Sequence, residues 1–313
     1  MKITVIGHLC LDVIHHPDES ETQSYGGIFF SLAALANLLP GTDTIFPVFG
    51  VGEKEYEAFL ERLKVYPNID PSGIHKFSGP TNQVHLFYKE GDAERIECSK
   101  HISEPIPWRK IKSKLDTDMV LVNMISGFDI TLETLDEIRL VLRDDRVPLY
   151  MDIHSLSLGV RDDATRFRRP LETWRRWLFM LHGIQMNEQE AEGLTMEDFD
   201  ETTLAKQILA LNTKVLTLTR GERGYSAFID DRKHVRRIDG QGITPDLARD
   251  STGCGDVFAA AYCARYLYSK NITEALEFAN RVAAVKAQYP GSVEIDRLND
   301  FRIVPNQEKE MRV

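Results

Sequence analysis

Short β-prone runs alternate with longer helical stretches along almost the whole chain, and this alternation most constrains the fold. Ile3–Ile6, Thr44–Phe49, Met119–Asn123, Leu149–Ile153, Gly183–Met186 and Val215–Thr219 read as buried strands. Helical patterns cover Phe29–Leu39, Glu53–Leu63, Leu132–Arg143, Leu171–Leu181, Thr203–Leu211, Gly253–Tyr268 and Ile272–Tyr289. Strands separated by helices form a mostly parallel sheet covered on both faces. Two stretches break the rhythm. His15–Tyr25 is polar and reads as a turn or exposed hairpin, and Val84–Tyr88 with Arg95–Cys98 are β-prone runs joined by Glu90-Gly91-Asp92. No repeat and no Ser- or Gly-rich linker divides the chain, so one large α/β domain over residues 1–313 with a small β excursion is expected.

A chain of 313 residues that is 42% hydrophobic buries a sizeable core without disulfide staples. Lys and Arg total 38 against 48 Asp and Glu, a net charge of −10. That balance disfavours nucleic acid and anionic membranes as main partners, while leaving room for a local anion site. The four cysteines, Cys10, Cys98, Cys254 and Cys263, form no C-x-x-C pair and match neither a zinc site nor a disulfide framework. The opening MKITVIGHLCLD is too short in apolar residues for a signal peptide. The most apolar stretch, Ile28–Leu39, falls well short of the roughly 20 residues a membrane helix needs. A soluble, reduced, cytoplasmic protein is the expectation.

The stretch richest in chemistry is Asp250-Ser251-Thr252-Gly253-Cys254-Gly255-Asp256-Val257-Phe258, leading into AAAYCARYLY. Two glycines around one residue at a helix start leave backbone N–H groups uncovered at the positive end of the helix dipole, an anion hole suited to phosphate. Asp256 projects a carboxylate beside it, placed to act as general base toward an attacking hydroxyl. The plain alternative is that the glycines ease the start of the helix, Thr252 caps it and Asp256 complements the dipole.

This stretch closely resembles the C-terminal signature of the ribokinase-like (PfkB) carbohydrate kinases, D-T-x-G-A-G-D-x-F. The resemblance implies a ribokinase-like three-layer α/β/α sandwich with a mostly parallel central sheet and a small β-sheet lid. It implies Gly253, Cys254 and Gly255 as the anion hole and Asp256 as catalytic base. Cys254 replaces the usual Ala, and a thiol at a helix N-terminus suggests unusual acidity and sensitivity to oxidation. Asn187-Glu188-Gln189-Glu190 resembles the family's N-x-x-E motif, implying that Asn187 and Glu190 hold Mg²⁺ through water. Thr219-Arg220-Gly221-Glu222-Arg223-Gly224 resembles the T-x-G-x-x-G turn. Thr219, Gly221 and Gly224, with Thr252, then line the nucleotide phosphates, and Arg220 is either a further phosphate contact or a surface residue. Asn280 in Phe278-Ala279-Asn280 resembles the helix flanking the adenine pocket, and Pro290-Gly291 the closing turn.

The N-terminal half is expected to hold the acceptor. Asp12 after Gly7 resembles the family's G-x-x-x-x-D opening, implying hydrogen bonds to substrate hydroxyls, and Gly26-Gly27 resembles the di-glycine that lets a sugar approach closely. Ser31 stands where the family has a substrate-binding Asn, and Phe29 and Phe30 either make the entrance greasier or belong to the core. Gly50-Val51-Gly52-Glu53-Lys54 loosely resembles G-x-V-G-D-D, and Asp152-Ile153-His154 a D-x-N segment with His for Asn. These departures leave the sugar or nucleoside identity of the acceptor open. Residues 12–25 and 82–101 resemble the family's β lid, which excludes water and makes a homodimer interface in some members. Arg95 is a candidate acceptor contact or a solvated strand residue. The cofactors implied are ATP and Mg²⁺, with a monovalent cation left open.

The expected activity is ATP-dependent phosphorylation of a hydroxymethyl group. A catalytically silent nucleotide or sugar sensor on the same fold is the alternative. A Rossmann oxidoreductase lacks its G-x-G-x-x-G fingerprint here. His15-His16 with Asp18 and Glu19 is a poor metal site, and the arginines from Arg161 to Arg176 read as a solvated helix face.

Overall fold

The structure, a computed structural model, describes residues 1–15, 20–87, 96–232, 234–242 and 250–305. Its strands are β1 (Lys2–Ile6), β2 (Leu9–His15), β3 (Glu21–Gly27), β4 (Thr44–Gly52), β5 (Ile74–Phe77), β6 (Asn82–Phe87), β7 (Ile96–Lys100) and β8 (Met119–Asn123). They continue as β9 (Leu149–Asp152), β10 (Leu158–Val160), β11 (Arg166–Arg168), β12 (Gly183–Asn187), β13 (Val215–Thr219), β14 (Gly224–Asp231) and β15 (His234–Gln241). The helices are α1 (Ile28–Leu38), α2 (Tyr56–Leu63), α3 (Trp108–Lys112), α4 (Leu132–Asp145) and α5 (Trp174–Leu178). After them come α6 (Glu188–Glu192), α7 (Glu201–Leu209), α8 (Cys254–Ser269) and α9 (Ile272–Lys286).

A nine-stranded sheet runs in the order β15-β14-β13-β12-β9-β8-β1-β4-β5. Pairings from β13 through to β5 are parallel, and only β14 and β15 run antiparallel at one edge. Apart from exposed Lys2, the central strands β1, β8 and β9 are buried, and apolar except for Lys2, Thr4 and the closing Asn123 and Asp152, as a sheet covered on both faces requires. Helices α1, α8 and α9 pack together, with α1 and α8 against the sheet. In this layer Phe29 meets Phe59, and Phe59 meets Phe49, in edge-to-face contacts with centroids 6.1 and 5.8 Å apart. This is a three-layer α/β sandwich.

A separate four-stranded sheet, β3-β2-β6-β7, is built from the two stretches that break the alternation. The polar segment after His15 thus contributes strands, because β2 pairs with β3 across Leu9–Gly27 and Cys10–Gly26. Arg95 and the Glu90-Gly91-Asp92 turn lie outside the described residues, as do His16, Asp18 and Glu19.

Three local expectations are corrected. The helix expected over Leu171–Leu181 is only the five-residue α5, because Phe179 leaves in an extended conformation. The arginine-rich run is a helix face only at Arg175 and Arg176, exposed on α5: Arg161 to Arg168 belong to the β10–β11 hairpin, where half-buried Arg166 donates to the Ser126 carbonyl (2.7 Å). The strands β14 and β15, absent from the alternation read above, extend the sheet as a hairpin after the Gly221–Gly224 turn. Among the described residues, no helix is long and apolar enough to cross a membrane.

The junction between the two sheets depends on Gly27, which sits at φ +56° where β3 turns into α1. A Cβ there would stand 2.8 Å from Ile125 and 2.9 Å from the His8 carbonyl, the same carbonyl that accepts the Ile28 amide. Gly27→Ala is expected to destabilise the protein by about 2–4 kcal/mol in urea unfolding. Gly41→Ala, with open space around its Cβ, is expected to stay within about 0.5 kcal/mol of wild type. Equal effects of the two would show that the junction tolerates a side chain.

Candidate active site

The parallel strands deliver polar side chains to one edge of the sheet. Asn123 ends β8, Asp152 ends β9, Asn187 ends β12 and Thr219 ends β13, and the register pairs Asn123 with Asp152 and Asn187 with Thr219. Chain order reverses at β1, with β4 on one side and β8 on the other, the kind of switch point where open α/β sheets bind ligands.

Helix α8 points its N-terminus at this edge. Gly253 is its N-cap in the left-handed region at φ +78°, and a Cβ there would press to 2.5 Å from the Phe30 ring. No side chain caps the helix, so Thr252 is not the cap; its amide instead donates to Asp250 Oδ1 (2.9 Å). The Cys254 amide donates to the Ser251 carbonyl (3.1 Å). Of the three amides named from the sequence, those of Gly253 and Gly255 are therefore left to meet an anion. Gly255 has no protein atom nearer than 3.7 Å to its would-be Cβ. A Cβ there would make an ordinary contact with Gln185 Nε2.

Asp256 is buried, and burial raises its pKa above the usual carboxylate value. The Asn123 amide donates to its Oδ1 (2.6 Å), and nearby His154 also favours the ionised form without reversing the shift. His154 takes a left-handed backbone, φ +42°, at the cavity wall. Burial opposes its charge, but Asp256, Asp152 and Glu190 outweigh burial and raise its pKa. Buried Asp152 is pushed well above the ordinary value, chiefly by desolvation. Gln185 Nε2 donates to Asp152 (3.1 Å) and to the Gly255 carbonyl (2.9 Å), tying β12 to α8.

Asn187 and Glu190 form a reciprocal capping box on α6. Asn187 Nδ2 donates to Glu190 Oε1 (2.7 Å), the Asn187 amide to Oε2 (2.8 Å), and the Glu190 amide back to Asn187 Oδ1 (2.8 Å). Burial raises the Glu190 pKa. Arg220 is drawn away from this region: its guanidinium pairs with Glu188 and Glu201 and donates to Ser226 Oγ (3.0 Å).

Two cavities meet at Gly255. One, of about 240 Å³, is lined by Asp12, Glu97, His154 and Asp256 among others. The other, of about 490 Å³, is lined by Gly221, Gly224, Phe258, Asn280 and the alanines Ala283 and Ala287 among others. Asn187, Thr219, Ser251 and Gly255 border both. Asn280 is oriented by its Nδ2–H bond to the Gln241 carbonyl (2.9 Å). Gly26 lies beside Asp12 across the β2–β3 pair, where a Cβ would fall onto the Asp12 carboxylate. Gly221 and Gly224 take left-handed conformations in the turn after β13.

Ser31 and Phe29 turn elsewhere. Ser31 is fully buried and donates to the Asp256 carbonyl (3.3 Å), while Phe29 is core and only Phe30 reaches the smaller cavity. Burial pushes the Cys254 thiol up to about 11, against the acidity expected of it. Asn123, Gln185 and Glu97 escaped the sequence reading. A polar residue inside or closing an apolar strand, as in VLVN and GIQMN, is the signal that marks the first two.

A family model described as pfkB family carbohydrate kinase matches residues 158–297. The chain is 28% identical over 306 residues to a ribokinase of Bacillus subtilis, covering 91% of this chain and 92% of the relative. It is 21% identical over 287 residues to a cytidine kinase of Thermococcus kodakarensis, covering 88% and 91%. In fold it is similar to the Arabidopsis thaliana ribokinase solved with ribose and ATP, with a TM-score of 0.71, 18% identity, and 96% and 98% of the two chains covered.

Because burial raises the Asp256 pKa, the folded state holds that proton more tightly than the unfolded chain does. The ionised carboxylate therefore costs stability at neutral pH, and the cost fades as pH falls through the raised value. Asp256→Asn is expected to melt a few degrees above wild type at neutral pH, with the gain shrinking toward acid. A variant that melts lower at neutral pH would contradict the buried charge.

Proposed function

We propose that this chain, a member of the ribokinase-like PfkB family of sugar and nucleoside kinases, transfers the γ-phosphoryl group of ATP to a hydroxymethyl group of a sugar or nucleoside. The observation that carries the reading is the meeting of two cavities at one helix N-terminus, with a buried carboxylate on the smaller side. The larger cavity suits a nucleotide. Phe258, Ala283 and Ala287 offer an apolar wall to a flat base, Asn280 a polar contact, and the glycine turn a side-chain-free path for phosphates. The smaller cavity suits a hydroxyl-rich acceptor, since the carboxylates of Asp12 and Glu97 accept hydrogen bonds from hydroxyls.

Asp256 takes the proton of the attacking hydroxyl, its raised pKa bringing it nearer the operating pH than an exposed aspartate. The Gly253 and Gly255 amides stabilise charge on the transferred group, and the dipole of the sixteen-residue α8 adds to them. Asn123 orients the base, and Ser31 steadies the first turn of α8 from behind. Glu190 and Asn187 offer only oxygen ligands to a cation, which fits Mg²⁺. Among the described residues no three His, Cys, Asp or Glu side chains converge on one metal position, so Glu190 would hold Mg²⁺ through water. Bound there, Mg²⁺ neutralises phosphate charge. The β2-β3-β6-β7 sheet excludes water from the smaller cavity by contributing Cys10, Asp12, Val84 and Leu86 to its wall. The same sheet is our candidate homodimer surface.

The test is ADP release from MgATP against a panel of sugars and nucleosides. Turnover with one acceptor, reduced roughly 10²–10⁴-fold in Asp256→Asn, is the expected result. Turnover that Asp256→Asn leaves intact removes the base assignment, and none with any acceptor removes the kinase reading. Gly255→Ala is expected to stay within about 1 kcal/mol of wild-type stability, since its Cβ meets no protein atom closely. It should still lose turnover, because Gly255 borders both cavities.

A further inference from the structure

Lys286, the last residue of α9, is fully buried. Its ammonium donates to the Tyr289 carbonyl (3.2 Å) and stands 5.7 Å from the centre of the Phe30 ring and 5.1 Å from that of Tyr289. Phe30 is the ring on which the Gly253 cap packs. The ionisable groups facing the ammonium are Asp250, Asp256 and the Cys254 thiol, all in the segment that opens α8. That segment is stitched to the end of α9. The Asp250 amide donates to the Ala287 carbonyl (3.3 Å), and the Gly291 amide to Asp250 Oδ2 (2.8 Å). A lysine is expensive to bury, and this one contributes no surface charge and enters no step above.

We propose that Lys286 is a built-in monovalent cation for the anion hole. Its fixed charge beneath the first turn of α8 balances Asp250 and raises the positive potential where the transferred phosphoryl group gathers charge. The proposal rests on the kinase reading. Lys286 lines neither cavity and acts through the hole, so it is a positioning residue. A chain that carries this charge covalently needs no potassium for activity.

The experiment measures MgATP turnover and, separately, binding of a non-hydrolysable ATP analogue by calorimetry. Potassium chloride is exchanged for tetramethylammonium chloride at constant ionic strength. Wild type is expected to ignore the exchange. Lys286→Met, which keeps the side-chain volume, is expected to fold and to lose about 10–100-fold in kcat, with acceptor KM little changed. It should bind the analogue more weakly, and ammonium or potassium should restore part of both losses. Lys286→Arg should retain more of each than Lys286→Met. Potassium activation of wild type overturns the proposal, as does a Met variant matching wild type in tetramethylammonium. Should Lys286→Met not fold, the ion exchange on wild type decides alone. Should no acceptor react, the kinase reading fails and analogue binding decides for Lys286: weakening that ammonium reverses supports it, and unchanged affinity overturns it.

Discussion

Holding the Asp256 carboxyl in a buried position at the start of α8, among groups that favour its ionised form, is the constraint on which the rest of the structure turns. Desolvation raises the Asp256 pKa. The surroundings offset this from three directions: the Asn123 amide at 2.6 Å, the His154 ring, and Lys286 behind the hole. Each comes from a different element, the end of β8, the loop after β9 and the end of α9. The buried carboxyl and these partners therefore come together only when sheet and helical layer are assembled. This ties the chemistry to the fold rather than to the Asp250–Phe258 segment alone.

The parallel sheet makes such convergence cheap in sequence. Every parallel strand ends at the same edge, so one polar residue closing each strand adds a group to the site at no cost to the buried interior. Asn123, Asp152, Asn187 and Thr219 arrive in this way, and Gln185 cross-links them to α8 from inside β12. The second sheet is different. It carries Asp12 on β2, paired with β3 so that Gly26 clears room for the carboxylate, and its strands come from segments far apart in the chain.

What the sequence made legible follows the same division. Alternation located the central strands and most helices, because buried parallel strands and the helices that cover them leave long, apolar, periodic runs. The glycine-flanked start of α8 was legible because its backbone geometry permits few residue types. His15–Tyr25 reads only as a turn or exposed hairpin, since the half-exposed β3 it contributes is polar and lacks an apolar signature. The acidity expected of Cys254 is opposed by burial, which raises the thiol pKa and which the sequence does not show. Arg220 was ambiguous because its partners, Glu188 and Glu201, sit on other elements and are visible only once β13 and α7 are packed. Lys286 was invisible, being one more lysine at a helix end until its burial is known.

The removal of Arg220 has a consequence for how phosphate charge is met. Among the described residues, no Lys or Arg lines either cavity, while Asp12, Glu97, Asp152, Glu190, Asp250 and Asp256 all do. A triphosphate entering alone would meet predominantly acidic walls, and like charges at short range in a partly desolvated cleft repel strongly. The compensating positive charge has to come from groups that are not surface side chains. Backbone amides at the start of α8 supply part, and the buried ammonium supplies part from beneath. On the proposed kinase reading the remainder falls to a divalent cation arriving with the nucleotide, for which the surplus of carboxylates is an attraction rather than a penalty. On the proposed kinase reading, the acidic lining favours a metal-complexed donor over a free one. On the same reading it favours a neutral acceptor over an already phosphorylated one, because the carboxylates of Asp12 and Glu97 line the smaller cavity.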